Sequence, residues 1–155
     1  MESRVRLVPA EAKHIGRIAR LMREIDTVEC TAMGKSPKQA LRQALGTSHK
    51  AWTALVDDKP EAMFGVVTES LLGATAVPWF LGTDEVYRHG RELLMWGPAM
   101  IGRLCDSSTR LHNLVSARNS QAIRLLRRWG FTVTEEEIAV RGVPFRYFER
   151  ASADV

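Results

Sequence analysis

One stretch near the C-terminus, Asn119 to Phe131, constrains the fold of this chain more than any other. It reads Asn-Ser-Gln-Ala-Ile-Arg-Leu-Leu-Arg-Arg-Trp-Gly-Phe. Just before it, Leu114-Val115-Ser116-Ala117 is predicted to be a buried strand, too short and too β-branched for a helix. Asn119 or Ser120 can cap a helix start, because a side-chain oxygen there accepts from backbone N–H groups one turn on. Ala122, Ile123, Leu126 and Trp129 then recur at helical spacing and give one apolar face. Gly130 suits a left-handed C-cap, and Phe131 opens the next apolar run. The unit is therefore strand, tight turn, short helix, glycine stop, strand. A strand that feeds a helix N-terminus also makes an anion site, since unpaired N–H groups and the helix dipole both point outward.

The remaining chain supplies elements on either side of this unit. Arg4 to Pro9 alternates like a first strand, ended by proline. From Ala10 to Ile25, residues Ile15, Ile18, Ala19, Met22 and Ile25 share one helical face, opposite Lys13, Arg17, Arg20 and Arg23. Asp26 to Lys35 reads as loop. Ser36-Pro37 is an N-cap followed by proline at the first helical position, opening a helix through Leu41, Ala44 and Leu45 that stops at Gly46. Lys50 to Asp57 and Glu61 to Glu69 form a hairpin around Asp57-Asp58-Lys59-Pro60. Ala74 to Leu81 is a further strand, in which Pro78 argues for an edge, a bulge or a splay. Thr83-Asp84-Glu85 starts a helix carrying Leu93, Trp96, Gly97, Met100, Ile101 and Leu104, with Pro98 predicting a kink or a break. After the Asn119 helix, Phe131 to Val140 and Val143 to Arg150 pair about a turn at Arg141-Gly142.

The predicted class is α/β (α+β): a mixed, largely antiparallel sheet flanked by helices, in the order β-α-α-β-β-β-α-β-α-β-β. With 155 residues and no linker or repeat, one domain over residues 1–150 and a tail at 151–155 are expected. The net charge of +4, from 22 basic and 18 acidic residues, suits an anionic ligand without arguing for nucleic acid. Cys30 and Cys105 form no CxxC or metal pattern and fit a reducing compartment. His14, His49, His89 and His112 lack zinc-ligand spacing, so no metal is expected. No signal-type segment and no run near the ~20 apolar residues of a membrane span occurs. A cytoplasmic protein without membrane partners is expected.

The run Asn119…Ala122-Ile123…Trp129-Gly130-Phe131, set in this order of elements, resembles the N-x-x-A…G-F segment of the GNAT-fold N-acetyltransferases. The resemblance covers nearly the whole chain. It implies acetyl-coenzyme A as cofactor, its pantetheine arm in a V-shaped gap where the fourth and fifth strands splay, and a small-molecule or protein amine as acceptor. Pro78 is compatible with that splay. The implied cofactor-binding residues are Leu81 and Thr83 along the fourth strand and its end, Arg88, His89, Gly90 and Arg91 in the loop that follows, and Asn119 with Ala122. The family's loop has the form Arg/Gln-x-x-Gly-x-Gly/Ala. Val86-Tyr87-Arg88-His89-Gly90-Arg91-Glu92 keeps the charge and one glycine but not the spacing. Its alternative reading is a solvated basic helix start.

Acyl transfer to an amine needs a base for the incoming amine and an acid for the leaving thiolate. The tyrosine that serves as acid in many family members corresponds here to Leu126, so the role passes to Tyr87, Tyr147 or water, with nothing in the sequence to select among them. Glu69, Asp84 and Glu85 are the nearest carboxylates that could act as base, each with a plain alternative as a solvated strand end or helix start. Catalytic residues stay unassigned. Arg124, Arg127 and Arg128 form a solvated face or reach a phosphate. Trp79-Phe80 could line a slot, although one of the two should enter the core anyway. Cys105 reads as core rather than nucleophile.

A second resemblance rests on Val77-Pro78-Trp79-Phe80-Leu81-Gly82-Thr83-Asp84, Arg88-His89, Ala117-Arg118-Asn119 and Arg128-Trp129-Gly130-Phe131. These resemble a GNAT-like branch encoded by short-tailed phages and prophages, which implies internal virion or assembly roles, phage virion proteins as partners and a bacterial host cytoplasm. Three functions follow: an acetyltransferase, a phage scaffold with weak or no catalysis, and, least favoured, an arginine-faced nucleic-acid module. A homodimer is left open.

Overall fold

Seven strands form one sheet in the order β1-β2-β3-β4-β5-β7-β6. They are β1 (Val5–Pro9), β2 (Lys50–Val56), β3 (Lys59–Ser70), β4 (Thr75–Gly82), β5 (Arg110–Ser116), β6 (Thr132–Val140) and β7 (Val143–Arg150). The computed structural model describes residues 4–70, 72, 74–104 and 109–151. All pairings are antiparallel except β4 with β5. The mixed, largely antiparallel sheet expected from the element order is what forms.

Alternating strand residues send their side chains to opposite faces, and each face has its own core. On one face Ile15, Ile18, Leu41 and Met63 cluster, with Trp79 and Leu81 packed against them. Here lie α1 (Ile15–Arg20) and α3 (Pro37–Thr47). On the other, Ala54, Val56, Ala62, Val86 and Leu93 form one cluster, and Val66, Ala76, Ile101, Leu111, Val115 and Ile123 belong to a second. These include residues of α4 (Asp84–Tyr87), α5 (Gly90–Leu104) and α6 (Ser120–Arg128).

Local chemistry explains most boundaries. Ser36 and Gln39 form a reciprocal capping box at α3, which satisfies two donors that the helix cannot. Asp57-Asp58 and Arg141-Gly142 all take positive φ at their hairpin turns, as two-residue hairpins with the twist of the flanking strands require. Gly130 adopts φ +92° after α6, the left-handed stop that a residue without Cβ reaches at no steric cost.

Two expectations fail. The helix expected over residues 10–25 is a 3-10 turn, Ala12–His14, followed by α1, which ends at Arg20. The stretch read as loop from Asp26 is instead α2 (Glu24–Ala32). Tertiary pairing causes the break: Arg23 N donates to Gly82 O at 2.9 Å, and Met22 forms a bridge with Thr83 at the end of β4. Pro98 does not split its helix, since α5 runs through it; the interruption falls earlier, at Arg88-His89. Cys105 lies outside the described residues.

Candidate functional site

The parallel seam between β4 and β5 holds for two residue pairs only, Thr75 with Arg110 and Ala76 with Leu111. Beyond them both strands continue, β4 to Gly82 and β5 to Ser116, without pairing to each other. The alternation of β4 explains why. Thr83 N reaches back to Glu61 O on β3, whereas Gly82 N and the Pro78 carbonyl point the other way. Pro78 therefore faces its nitrogen toward β5, where it removes a possible rung without costing a bond to β3. One side chain spans this level: Asn113 Nδ2 donates to Pro78 O at 2.8 Å, and its Oδ1 accepts from Leu114 N at 2.7 Å. An amide thus stands in for a strand-to-strand bond, across a wider gap. By the same alternation, the N–H and C=O of Phe80 face the open part of the wedge.

A cavity of ≈ 330 Å³ passes through that wedge. Asn113, Leu114 and Val115 form one edge and Pro78 to Leu81 the other. Cys30, Met33, Ala40 and Ala44 wall it on the side of α2 and α3, and Trp96, Met100, Leu125, Leu126 and Trp129 on the side of α5 and α6. The walls are chiefly apolar.

The polar exception is α2. Arg23, just before it, is 5% exposed and Asp26 2%. Arg23 Nη1 donates to Asp26 Oδ1 at 3.1 Å, while Nη2 donates to Gln121 Oε1 at 3.0 Å and Asn119 Oδ1 at 3.3 Å. Its guanidinium lies 3.8 Å above the centre of the Tyr87 ring, a favourable placement of a cation on an aromatic face. Asp26 Oδ2 accepts from Gly82 N at 3.0 Å, and Glu29 Oε1 accepts from Ser116 N at 3.0 Å and Asn119 Nδ2 at 3.1 Å. The two carboxylates thus occupy backbone donors at the open ends of both splayed strands. Asn119 Oδ1 also accepts from Ala122 N at 3.3 Å and caps α6.

Burial governs the ionisation here, because desolvation disfavours charge. It pushes Asp26 up to about 7, against the opposing pull of Arg23, and raises Glu29 as well, although Asn119 and the Ser116 N–H favour its anion. Burial also raises the Tyr87 hydroxyl, and lifts the Cys30 thiol to about 12. Cys30 therefore stays a thiol and is no nucleophile.

A pH prediction follows. Asp26 holds its proton more tightly folded than unfolded, so its contribution to stability is complete below about pH 4 and is lost as pH rises through about 7. Urea-unfolding free energies should fall across that interval more steeply in the natural chain than in Asp26→Asn, which has no proton there to release. Equal slopes would remove the assignment.

Of the residues singled out from the sequence, Leu81, Asn119 and Ala122 line the cavity. Thr83 is buried at the rim, its hydroxyl donating to Glu61. Arg88 and His89 both turn to Glu85; Gly90 opens α5, and Arg91 is exposed. None of these five lines the cavity. Tyr87 reaches it, while Tyr147 is engaged with Arg110 and Glu149 on β7. Glu69 bonds His112 at 2.9 Å. Trp79 and Phe80 both contribute walls from opposite faces of β4: Trp79 Nε1 donates to Ser48 Oγ at 2.7 Å, and Phe80 stacks on Phe64. Arg23, read in the sequence as part of a polar helix face, is buried instead, and Asp26 and Glu29 fell within the stretch read as loop, although the three-residue spacing of all three is a helical signal.

No protein-family model matches the chain, and no curated protein matches it. Solved structures do. A phosphinothricin acetyltransferase of the GNAT superfamily from Sinorhizobium meliloti, in complex with acetyl-coenzyme A, superposes with TM-score 0.68 at 14% identity, over 95% of this chain and 88% of that one. The fold is that of the GNAT acetyltransferases. An aminoglycoside acetyltransferase in complex with coenzyme A gives TM-score 0.64 at 15% identity, over 95% of this chain and 94% of its own. A ribosomal alpha-N-protein acetyltransferase in complex with coenzyme A also gives 0.64, at 13% identity over 99% and 97%. No helix among the described residues is long and apolar enough to cross a membrane.

Proposed function

We propose that the chain is an acetyl-coenzyme A-dependent N-acetyltransferase acting on an amine, either of a small molecule or of a protein. One observation carries this reading: two parallel strands that part after two rungs and open into an apolar cavity. A thin aliphatic arm with amide groups fits such a gap, where Phe80 offers backbone donor and acceptor between apolar walls. When bound, the cofactor would supply an activated acyl thioester. Leu81, Asn119 and Ala122 flank its place. Glu29, whose burial raises its affinity for protons, can take a proton from an ammonium group. Tyr87, which keeps its proton well above neutrality, can hold one for a leaving thiolate.

Acetyl-coenzyme A at 100 times its dissociation constant should stabilise the fold by ~2.7 kcal/mol, a rise in Tm of roughly 5–10 °C for a domain of this size. No shift at millimolar cofactor would end the proposal. Thr83, Arg88, His89, Gly90 and Arg91 are assigned the diphosphate end. Charge reversal of Arg88 and Arg91 together to glutamate should abolish the shift without unfolding the chain, and an unchanged shift would free this loop of that role.

A second reading, a phage scaffold protein acting by binding or assembly with little catalysis, draws on one feature. Asp84 and Glu85 put two carboxylates at the start of α4, and Glu85 already engages Arg88 and His89. The same titration separates the two readings.

A further inference from the structure

The α2 side of the cavity carries more information than the wedge itself. Arg23 gives its hydrogen bonds to Asp26, Asn119 and Gln121. Asp26 spends one oxygen on Arg23 and the other on Gly82 N. Glu29 differs: both of its bonds fall on Oε1, and both come from neutral amides. Among the described residues it has no cation in direct contact. Its carboxylate nevertheless forms part of the cavity wall, and Arg23, the cation whose field favours its charge, gives its own hydrogen bonds to Asp26, Asn119 and Gln121.

We infer that this half of the cavity is the acceptor site, that its ligand is a primary ammonium bearing one positive charge on an apolar body, and that Glu29 is the group the ammonium meets. The assignment rests on the acetyltransferase reading for the name acceptor, but not for the binding. On the α2 and α3 side the walls are Cys30, Met33, Ala40, Ala44, Trp79 and Leu81, which match a hydrocarbon or aromatic body and offer a sugar or peptide few partners. Lys35 is the other charged residue of the wall on this side apart from Asp26. A second ammonium on the ligand would meet Lys35 as a like charge, which selects against polyamines and polycationic sugars.

The test titrates the full chain, without cofactor, by calorimetry near neutral pH. Three probes serve: 2-phenylethylamine, its neutral counterpart 2-phenylethanol, and spermidine. The amine should bind at least tenfold more tightly than either of the others. Glu29→Gln keeps an acceptor oxygen for Ser116 N and Asn119 Nδ2, so its Tm should stay close to that of the natural chain, while amine affinity falls at least tenfold and alcohol affinity does not. Equal binding of amine and alcohol by the unmodified protein, tighter binding of spermidine, or an amine affinity unmoved in Glu29→Gln would each overturn the assignment. The comparison of amine with alcohol needs no variant and decides the matter even if Glu29→Gln fails to fold. Selective amine binding in a chain that gives no shift with acetyl-coenzyme A would leave this site standing and remove the transferase. The reverse pair of results would keep the transferase and discard this acceptor.

Discussion

Replacing Arg23 with methionine should lower the unfolding free energy at about pH 9, where Asp26 is ionised, by about 3–5 kcal/mol, the usual cost of stripping one partner from a buried ion pair. The side chain is 5% exposed and bonds Asp26, Asn119 and Gln121 while lying on the Tyr87 ring. Methionine can fill much of the volume but leaves Asp26 with only the Gly82 N–H. Urea unfolding at two pH values tests the cause as well as the size. Below about pH 7 Asp26 takes up a proton, so the loss there should be markedly smaller. A second change, Asp26→Leu, should recover much of the loss at about pH 9, since an apolar pair of similar volume often matches a buried ion pair. A loss independent of pH would mean that packing, not charge, is what Arg23 supplies.

Gly97→Ala should be the other costly change. A Cβ at this position would stand 2.1 Å from Trp129 Cε2 and 2.2 Å from its Nε1, well inside contact distance. An indole is rigid, so either α5 and α6 move apart or the ring turns into the cavity that it walls. Overpacking of this kind costs about 1–3 kcal/mol, and the second response also narrows the cavity. Melting should therefore show a lower Tm together with a reduced shift by acetyl-coenzyme A. Gly46→Ala is the control: it lies within α3 with open space around its Cβ, where alanine should be neutral or stabilise by roughly 0.5–1 kcal/mol. If Gly97→Ala melts like Gly46→Ala, Trp129 does not pack closely on Gly97.

Where local chemistry decides, reading the chain went well. The Asn119 cap, the apolar face of α6, the Gly130 stop and both hairpins depend on neighbours a few residues away, and all of them form. The sheet follows because its strands keep a two-residue alternation. Failures cluster where distant segments meet. Helical periodicity runs straight through Leu21 and Met22, yet the backbone there turns to pair with β4, and no propensity near residue 22 encodes a partner at Thr83. Missing α2 then hid Asp26 and Glu29, whose roles depend on Gly82, Ser116 and Asn119. In the basic loop the charges of Arg88 and His89 were visible, whereas their pairing with Glu85, just upstream in the same stretch, was not. Pro78 was read as a sign of an edge, a bulge or a splay, and the register of β3 was needed to choose among them.

That proline has a consequence for how the seam stays open. Any other residue at position 78 would bring an N–H aimed at β5, and with it the chance of a third rung above Ala76 and Leu111. The two strands could then creep together by one more step, pressing Asn113 out of its bridging place and narrowing the slot from its closed end. A ring that withholds one hydrogen acts here as a doorstop.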